Sequence, residues 1–204
     1  MTGKQEDKQK LLVDAAIDLF YEKGFQDTRI SDIVGRAGVA QGTFYLYFKS
    51  KDDVFLHICR EFTRLFTVVI GEDKELFAGP SYKVVHENVH GFIRRLITLF
   101  QANGKMARIV FFEGGSYGGK FRDAYEGIYA EFINTITRRL NQSRRAGYIS
   151  FEDAETEATF LVGLFDRSLF YFMDVKKHVD VAALSRRMAD FVMGGLSKPE
   201  GRQV

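Results

Sequence analysis

Residues 28–51, TRISDIVGRAGVAQGTFYLYFKSK, decide the fold of this chain. Apolar residues recur at helical spacing over 30–37. Gly38 then supplies the left-handed backbone on which many helices end. A second helix is predicted over 41–48. Two short helices joined by a glycine turn form a helix-turn-helix, so the rest of the chain is interpreted around this motif.

The predicted second helix has two unlike faces. Phe44 and Phe48 are four residues apart, so both point to its inner side. The amide of Gln41 can pair with the edge of an adenine, and hydroxyl groups suit phosphate oxygens. The outer face is therefore predicted to contact DNA through Gln41, Gly42, Thr43, Tyr45 and Tyr47.

The flanks of the motif add candidate contacts to the DNA backbone. Thr28 either caps the first helix or also gives its hydroxyl to a phosphate, and the two roles are compatible. Lys51 lies at the start of the following helix, beside free backbone N–H groups, and is predicted to clamp a phosphate. Arg29 and Lys49 complete the predicted DNA-contacting set.

The stretch AGVAQGTFYLYFKSKDDVF, with AAIDLFYEKGFQDTRISDIV before it, resembles the TetR family of transcriptional repressors over about the first sixty residues. Ala40 replaces the usual small hydroxyl residue, and Tyr47 replaces the usual histidine. The resemblance implies an all-α fold of about nine helices. It implies an N-terminal three-helix DNA-binding head over 1–49, with the helix-turn-helix at about 29–48, and a helical effector-binding and dimerisation domain over 50–204.

The residues beyond the motif independently favour an all-α chain. Only two prolines occur in 204 residues, and glycines cluster at apparent helix ends. Capping boxes are predicted at Ser50 and Ser150, each with an acidic side chain three residues later. Asp180 is predicted to cap the last helix.

Composition restricts the class of protein. Residues 1–60 carry nine basic and nine acidic side chains, so an attractive field for DNA must come from local placement. A single cysteine, Cys59, excludes an intrachain disulfide and suits a reducing cytoplasm. The polar N-terminus is unlike a signal peptide, and no apolar run approaches the roughly 18 residues that span a bilayer. A soluble cytoplasmic protein without membrane contact or cofactor is expected.

The helix predicted after residue 154 is apolar on most of its sides, and such a helix must be covered all round. A second copy of the chain is the predicted cover, because helix-turn-helix dimers bind two half-sites. Burial in the centre of one subunit is the alternative. The predicted dimer interface comprises Leu161, Phe165, Leu169, Phe172, Leu184, Met188 and Phe191.

The chain has twenty phenylalanines and nine tyrosines, and most of them lie after residue 54. An aromatic core explains many of them. An apolar pocket with tyrosine hydroxyls as polar handles explains others. A lipophilic or aromatic effector is therefore predicted to bind among Phe66, Phe92, Phe112, Tyr117, Phe121, Tyr125 and Phe165.

Two other motifs invite different functions. Residues 114–120 fit the G-x-x-x-x-G-K pattern of a phosphate-binding loop, but Phe121 stands where a hydroxyl must hold magnesium, so an enzyme is not predicted. His86 and His90 are four apart, as metal ligands on one helix face can be. No third ligand lies near them, so a packed or solvated pair is predicted instead of a metal site.

Together these patterns predict a homodimeric transcriptional regulator, a repressor that binds a near-palindromic double-stranded DNA operator. A small lipophilic or aromatic effector is expected to release it. The alternative is an effector-independent architectural DNA-binding protein on the same scaffold. Loss of operator affinity when a ligand is added would distinguish the two.

Overall fold

A computed structural model describes residues 2–72, 76–113, 120–144 and 147–196. The described residues form nine α-helices, which confirms the all-α prediction. The helices are α1 Thr2–Lys23, α2 Ile30–Ala37, α3 Gln41–Tyr45, α4 Lys51–Glu72, α5 Tyr82–Ala102, α6 Gly104–Arg108, α7 Lys120–Ser143, α8 Ala154–Phe170 and α9 Val181–Leu196. Short π-helical segments continue α6 and α8 over Ile109–Glu113 and Tyr171–Val175. Within these ranges no helix combines the length and apolarity that a membrane crossing requires.

The chain forms two compact units. The first comprises Met1–Arg64 and Asn103–Gly127, and the second comprises Leu65–Ala102 and Ile128–Val204. The first unit thus contains a segment from much later in the sequence than the predicted head. The functional division at residue 49 stays a prediction.

The first unit is built around the apolar face of α1. Helix α1 packs against α2 and α6, and α2 packs against α3. Apolar side chains recur along α1 every three or four residues, and burial of that face stabilises the helix. The largest fully buried side chains of this unit are Leu12, Phe20, Ile33, Phe44, Phe55, Ile58, Phe62 and Ile109.

Four phenylalanines form an aromatic cluster in the first unit: Phe20, Phe25, Phe55 and Phe121. The Phe25 ring lies edge-on to Phe20, Phe55 and Phe121, with centroid distances of 5.2, 5.3 and 5.0 Å. Phe55 and Phe121 are 4.8 Å apart, also edge-on. Edge-to-face pairs contribute about 0.5–1.5 kcal/mol each beyond their buried area. Phe121, from the first turn of α7, therefore belongs to the core that supports the helix-turn-helix.

Helix α6 is fastened to α1 by charge and ring contacts. Lys105 Nζ lies 2.6 Å from Asp18 Oδ1, and the Lys105 and Arg108 cations lie 5.8 and 5.4 Å from the Tyr21 ring centroid. Both contacts are on the surface, so their stabilisation is modest.

In the second unit α5 packs along α9. Val85, Val89, Phe92, Ile93, Leu96, Ile97 and Phe100 are buried on α5, and Ser185, Met188, Ala189, Val192, Met193 and Leu196 are buried on α9. His86 Nε2 lies 2.7 Å from Asp190 Oδ1, and His90 Nε2 lies 3.1 Å from Ser185 Oγ. Both histidines thus contact α9, as the packed-pair prediction requires. The described residues contain no group of three or more side chains able to hold a metal ion.

Helix caps agree with the predictions in two of three places. Ser50 Oγ accepts from Asp53 N at 3.2 Å, and Asp180 Oδ1 accepts from Ala183 N at 3.0 Å. The predicted box at Ser150 is wrong. Asp153 caps α8 by accepting from Thr156 N at 2.8 Å, because the Ser150 backbone N is held by Leu196 O at 2.7 Å, outside the helix.

Candidate nucleic-acid interface

The turn between α2 and α3 depends on Gly38. Its φ of 67° lies in the left-handed region that favours glycine. Gly38 N donates to Gly35 O at 3.3 Å, and Val39 N donates to Val34 O at 3.1 Å, so the last carbonyls of α2 are satisfied. A Cβ at residue 38 would meet no atom within 4 Å. Glycine is therefore required at residue 38 by the backbone conformation and not by lack of space. The predicted end of the helix at Gly38 is confirmed.

The recognition segment, residues 41–48, has a buried side and an open side. Phe44 and Phe48 are buried, as predicted. Helix α3 ends at Tyr45, three residues earlier than predicted, but Phe48 N still donates to Phe44 O at 3.0 Å and prolongs the helical turn. On the open side lie the exposed residues Gln41, Gly42, Tyr45 and Leu46. We call these four residues the reading face.

The side chains of the recognition segment differ in how exposed they are. Tyr45 is 55% exposed, and its ring lies edge-on to Phe44 at 5.4 Å, which fixes its direction. Gln41 is exposed at the start of α3, whereas Thr43 and Tyr47 are half-buried. Gln41 therefore has the access that a base contact needs, and Thr43 and Tyr47 lie on the flanks of the segment.

Leu46 is absent from the predicted set although it is the most exposed large apolar side chain in the described part of the chain. The sequence does carry a signal for it, because Leu46 follows Gly42 by one helical turn and cannot share the face of Phe44. A prediction that considers only polar side chains misses this residue.

Thr28 requires a correction. Its side chain is only 1% exposed, and its hydroxyl donates to Gly24 O at 2.8 Å. The hydroxyl has one proton, so none remains for a phosphate oxygen. The N-cap residue of α2 is Arg29, whose backbone N donates to Asp32 Oδ2 at 2.9 Å. Thr28 closes the end of α1, and both roles predicted for it are wrong.

Lys51 also requires a correction. Its ammonium donates to Phe25 O, to Gln26 O at 3.1 Å and to Thr28 O at 2.7 Å, and it lies 4.2 Å from the Phe25 ring centroid. Three N–H bonds are all that an ammonium has, so none is left for DNA. Lys51 joins the start of α4 to the loop between α1 and α2. Its predicted phosphate clamp is replaced by this structural role.

Several other cations near the motif are paired within the protein. Arg36 donates through both Nη atoms to the Glu22 carboxylate at 3.0 and 2.9 Å, and this hydrogen bonding lowers the pKa of Glu22. Lys23 Nζ lies 2.6 Å from Asp32 Oδ2. Arg29 and Lys49 are exposed on either side of the recognition segment. They remain the candidates for phosphate contact.

The residues predicted for the dimer interface separate into two groups. Leu169 is 1% exposed and Met188 is also buried within one protomer. Leu169 is therefore a core residue of the protomer, and its predicted direct contact with a second copy is corrected. Phe191 is 70% exposed. Leu161, Phe165, Phe172 and Leu184 are half-buried.

An open groove of about 530 Å³ lies beside α8 and α9 in the second unit. Its lining includes three of the predicted interface side chains that are accessible, Phe172, Leu184 and Phe191, together with Met188. Leu164, Ser168 and residues 178–180 also line it and were not predicted. The groove is largely apolar, and homodimer interfaces are more apolar than the rest of a protein surface.

The residues predicted for the effector do not share one environment. Phe121 is packed in the aromatic cluster of the first unit, which corrects its role as a pocket wall. Tyr125 is half-buried in the first unit, whereas Phe66, Phe92 and Phe165 belong to the second. Phe66 is edge-on to Phe100 at 5.6 Å and tilted over Phe132 at 4.2 Å. The Phe112 side chain, Tyr117 and the loop at 114–119 lie outside the described residues.

The one cysteine has no features of a catalytic nucleophile. Cys59 is buried, and this burial raises the pKa of its thiol to about 12. The reactive thiolate is therefore scarce at neutral pH.

Residues 12–58 match the family of bacterial regulatory proteins described as the tetR family. The fatty acid metabolism regulator protein of Bacillus subtilis is 24% identical over 190 residues, 93% of this chain and 95% of that protein. An uncharacterised HTH-type transcriptional regulator of the same organism, YdgC, is 26% identical over 207 residues, covering both chains completely.

A solved structure shows the same fold. The crystal structure of the transcriptional regulator FadR from Bacillus subtilis in complex with stearoyl-CoA has a TM-score of 0.78 and 23% identity over 92% of this chain and 98% of that chain. The relatives are transcriptional regulators, in agreement with the prediction of a regulator and not an enzyme. The helix-turn-helix region of this chain thus matches the tetR family of bacterial regulatory proteins, and the chain shares its fold over nearly its full length with a solved bacterial transcriptional regulator.

Proposed function

We propose that the chain is a homodimeric repressor that binds a near-palindromic operator in the bacterial cytoplasm and is released by a lipophilic effector. The observation that carries this proposal is the reading face, where Gln41 and Tyr45 are exposed on one side while Phe44 and Phe48 anchor the other. A helix-turn-helix places this face in the major groove, and a dimer places two copies one helical turn apart.

The homodimer is supported by apolar surface on α8 and α9. Helix α8 buries only Ala154, Ala158 and Leu169 within the protomer. It also carries six large apolar residues that are not buried there: Phe160, Leu161, Val162, Leu164, Phe165 and Phe170. Phe160 on α8 is 64% exposed, and the groove-lining Phe191 on α9 is 70% exposed. Exposed apolar surface of this kind is characteristic of an interface. A second copy would cover it and align the two recognition segments.

For the effector we infer a long-chain acyl-CoA. The FadR structure from Bacillus subtilis contains stearoyl-CoA, and the fatty acid metabolism regulator relative covers nearly the whole chain. An acyl chain is apolar and needs an apolar environment, which Phe66 and Phe92, buried in the second unit, and the half-buried Phe165 provide. Ligand binding changes operator affinity only through different affinities for the two states of the protein.

Base recognition by Gln41 can be tested with an operator selected from random duplexes by the purified protein. Gln41→Ala is expected to relax the base preference at one position of each half-site and to cost about 1–3 kcal/mol per contact. Gln101→Ala, an exposed glutamine in the second unit, is the matched control. Unchanged sequence preference in Gln41→Ala, measured by repeating the selection, would refute the base contact.

Release by the effector can be tested with stearoyl-CoA and a fluorescent operator. We expect stearoyl-CoA to weaken operator binding about 5–150-fold, a coupling of about 1–3 kcal/mol. Coenzyme A alone is expected to have no effect, because it lacks the acyl chain.

The same titration separates the proposal from its alternatives. If stearate and not stearoyl-CoA releases the operator, the effector is a fatty acid and the acyl-CoA assignment is wrong. If no lipophilic compound changes operator affinity, the effector-independent architectural protein is the better description.

A further inference from the structure

Leu46 is the most exposed large apolar side chain among the described residues, at 77%. Its position is well defined, because its backbone is helical (φ −72°, ψ −23°) and its N donates to Thr43 O at 3.3 Å. A single exposed leucine is ordinary on a protein surface. Leu46 differs because it lies on the reading face, directly after the end of α3 and three residues before Lys49.

The neighbours of Leu46 leave it accessible to a duplex. Gly42, one helical turn before it, has no side chain, and a Cβ there would meet nothing within 4 Å. Packing within the protein therefore does not require this glycine, and the open space lets another molecule come close. On the adjacent row of the face, Gln41 and Tyr45 are also exposed.

The chemistry of the major groove selects the partner of an apolar side chain. Adenine, guanine and cytosine present hydrogen-bonding groups along that edge, whereas thymine adds a 5-methyl group. A leucine pressed against the polar groups would remove water from them without replacing its hydrogen bonds, which is unfavourable. Against the thymine 5-methyl group, a leucine side chain buries apolar surface of its own and of the base.

We propose that Leu46 is a specificity-determining residue that packs against the 5-methyl group of one thymine in each half-site. The proposal rests on the proposed operator binding and adds the base class that this side chain selects. Gln41 supplies hydrogen-bond recognition on the same face, and Leu46 supplies recognition by apolar contact.

The test replaces thymines of the selected operator, one symmetric pair at a time, by deoxyuridine, which removes only the methyl group. For the unmodified protein we expect one pair at which this change weakens binding about fourfold per half-site, the effect of burying one methyl group. Leu46→Ala is expected to bind thymine and deoxyuridine operators equally at that pair. Leu46→Met is expected to keep the difference, because it restores the apolar contact.

Leu11→Ala is the matched control, since Leu11 is an exposed leucine on α1 of the same unit. This variant is expected to keep the full thymine preference. The inference is overturned if the unmodified protein tolerates deoxyuridine at every pair, or if Leu46→Ala keeps the thymine preference. A protein that selects no duplex at all contradicts the proposed function itself, so the two failures are distinguishable.

Discussion

Replacing Lys51 by methionine is expected to lower the free energy of unfolding by about 2–3 kcal/mol. Three carbonyl oxygens lose a charged donor, and hydrogen bonds to charged groups contribute about 1.5–3 kcal/mol each. The expected loss in free energy of unfolding is close to the contribution of one such bond, because water can partly replace the ammonium at the carbonyl oxygens. Methionine has an apolar side chain of similar length without the ammonium, so the loss reflects the charged donor and its contact with the Phe25 ring. Urea denaturation followed by circular dichroism measures it.

Lys49→Met is the control for this variant, because Lys49 is exposed beside the recognition segment. It is expected to leave unfolding nearly unchanged and to weaken binding to all duplexes alike. The slope of log affinity against log salt is expected to fall by about 0.9 for each phosphate that the variant no longer neutralises. If Lys51→Met instead produced this salt effect with unchanged stability, the structural role assigned to Lys51 would be wrong.

Placing glutamate at Phe191 is expected to dissociate the proposed dimer. An unpaired charge in a desolvated interface costs about 3–5 kcal/mol, which raises the dissociation constant more than about 100-fold. Operator affinity should fall with it, since two linked recognition segments bind far better than one. Sedimentation velocity at micromolar protein gives the first quantity, and fluorescence anisotropy with the operator gives the second.

Val68→Glu provides the comparison, since Val68 is an exposed apolar residue on α4, and it does not line the groove beside α8 and α9. It should sediment as the unmodified protein does. Leu169 is unsuitable as a probe because it is buried in the protomer and a charge there would disturb folding. A well-folded monomer for the unmodified protein would contradict the dimer.

The features that the sequence predicts correctly are those with local causes. The helix stop at Gly38 follows from one residue's backbone freedom. The inward direction of Phe44 and Phe48 follows from helical spacing, and the caps at Ser50 and Asp180 from side chains three residues away. Each cause acts within one or two turns of helix, so the order of residues along the chain is enough to predict its effect.

The features that the sequence does not predict depend on distant segments. The DNA contact predicted for Lys51 is wrong because the partners of its ammonium are carbonyls 23 to 26 positions earlier. The cap predicted for Thr28 is wrong because the end of α1 sets its burial. Phe121 lies in the aromatic cluster and not on an open wall, because helical periodicity shows which face is apolar but not what covers it.

The aromatic cluster has a consequence for how the protein forms during translation. Phe25 and Phe55 emerge from the ribosome early, but Phe121, which packs against both, is 66 residues after Phe55. At bacterial synthesis rates of about 5–20 residues per second, the nascent helix-turn-helix waits roughly 3–13 s for this ring. During that interval Phe25 and Phe55 lack the contacts that Phe121 later makes with them. The aromatic cluster is therefore complete only after more than half of the chain has been made.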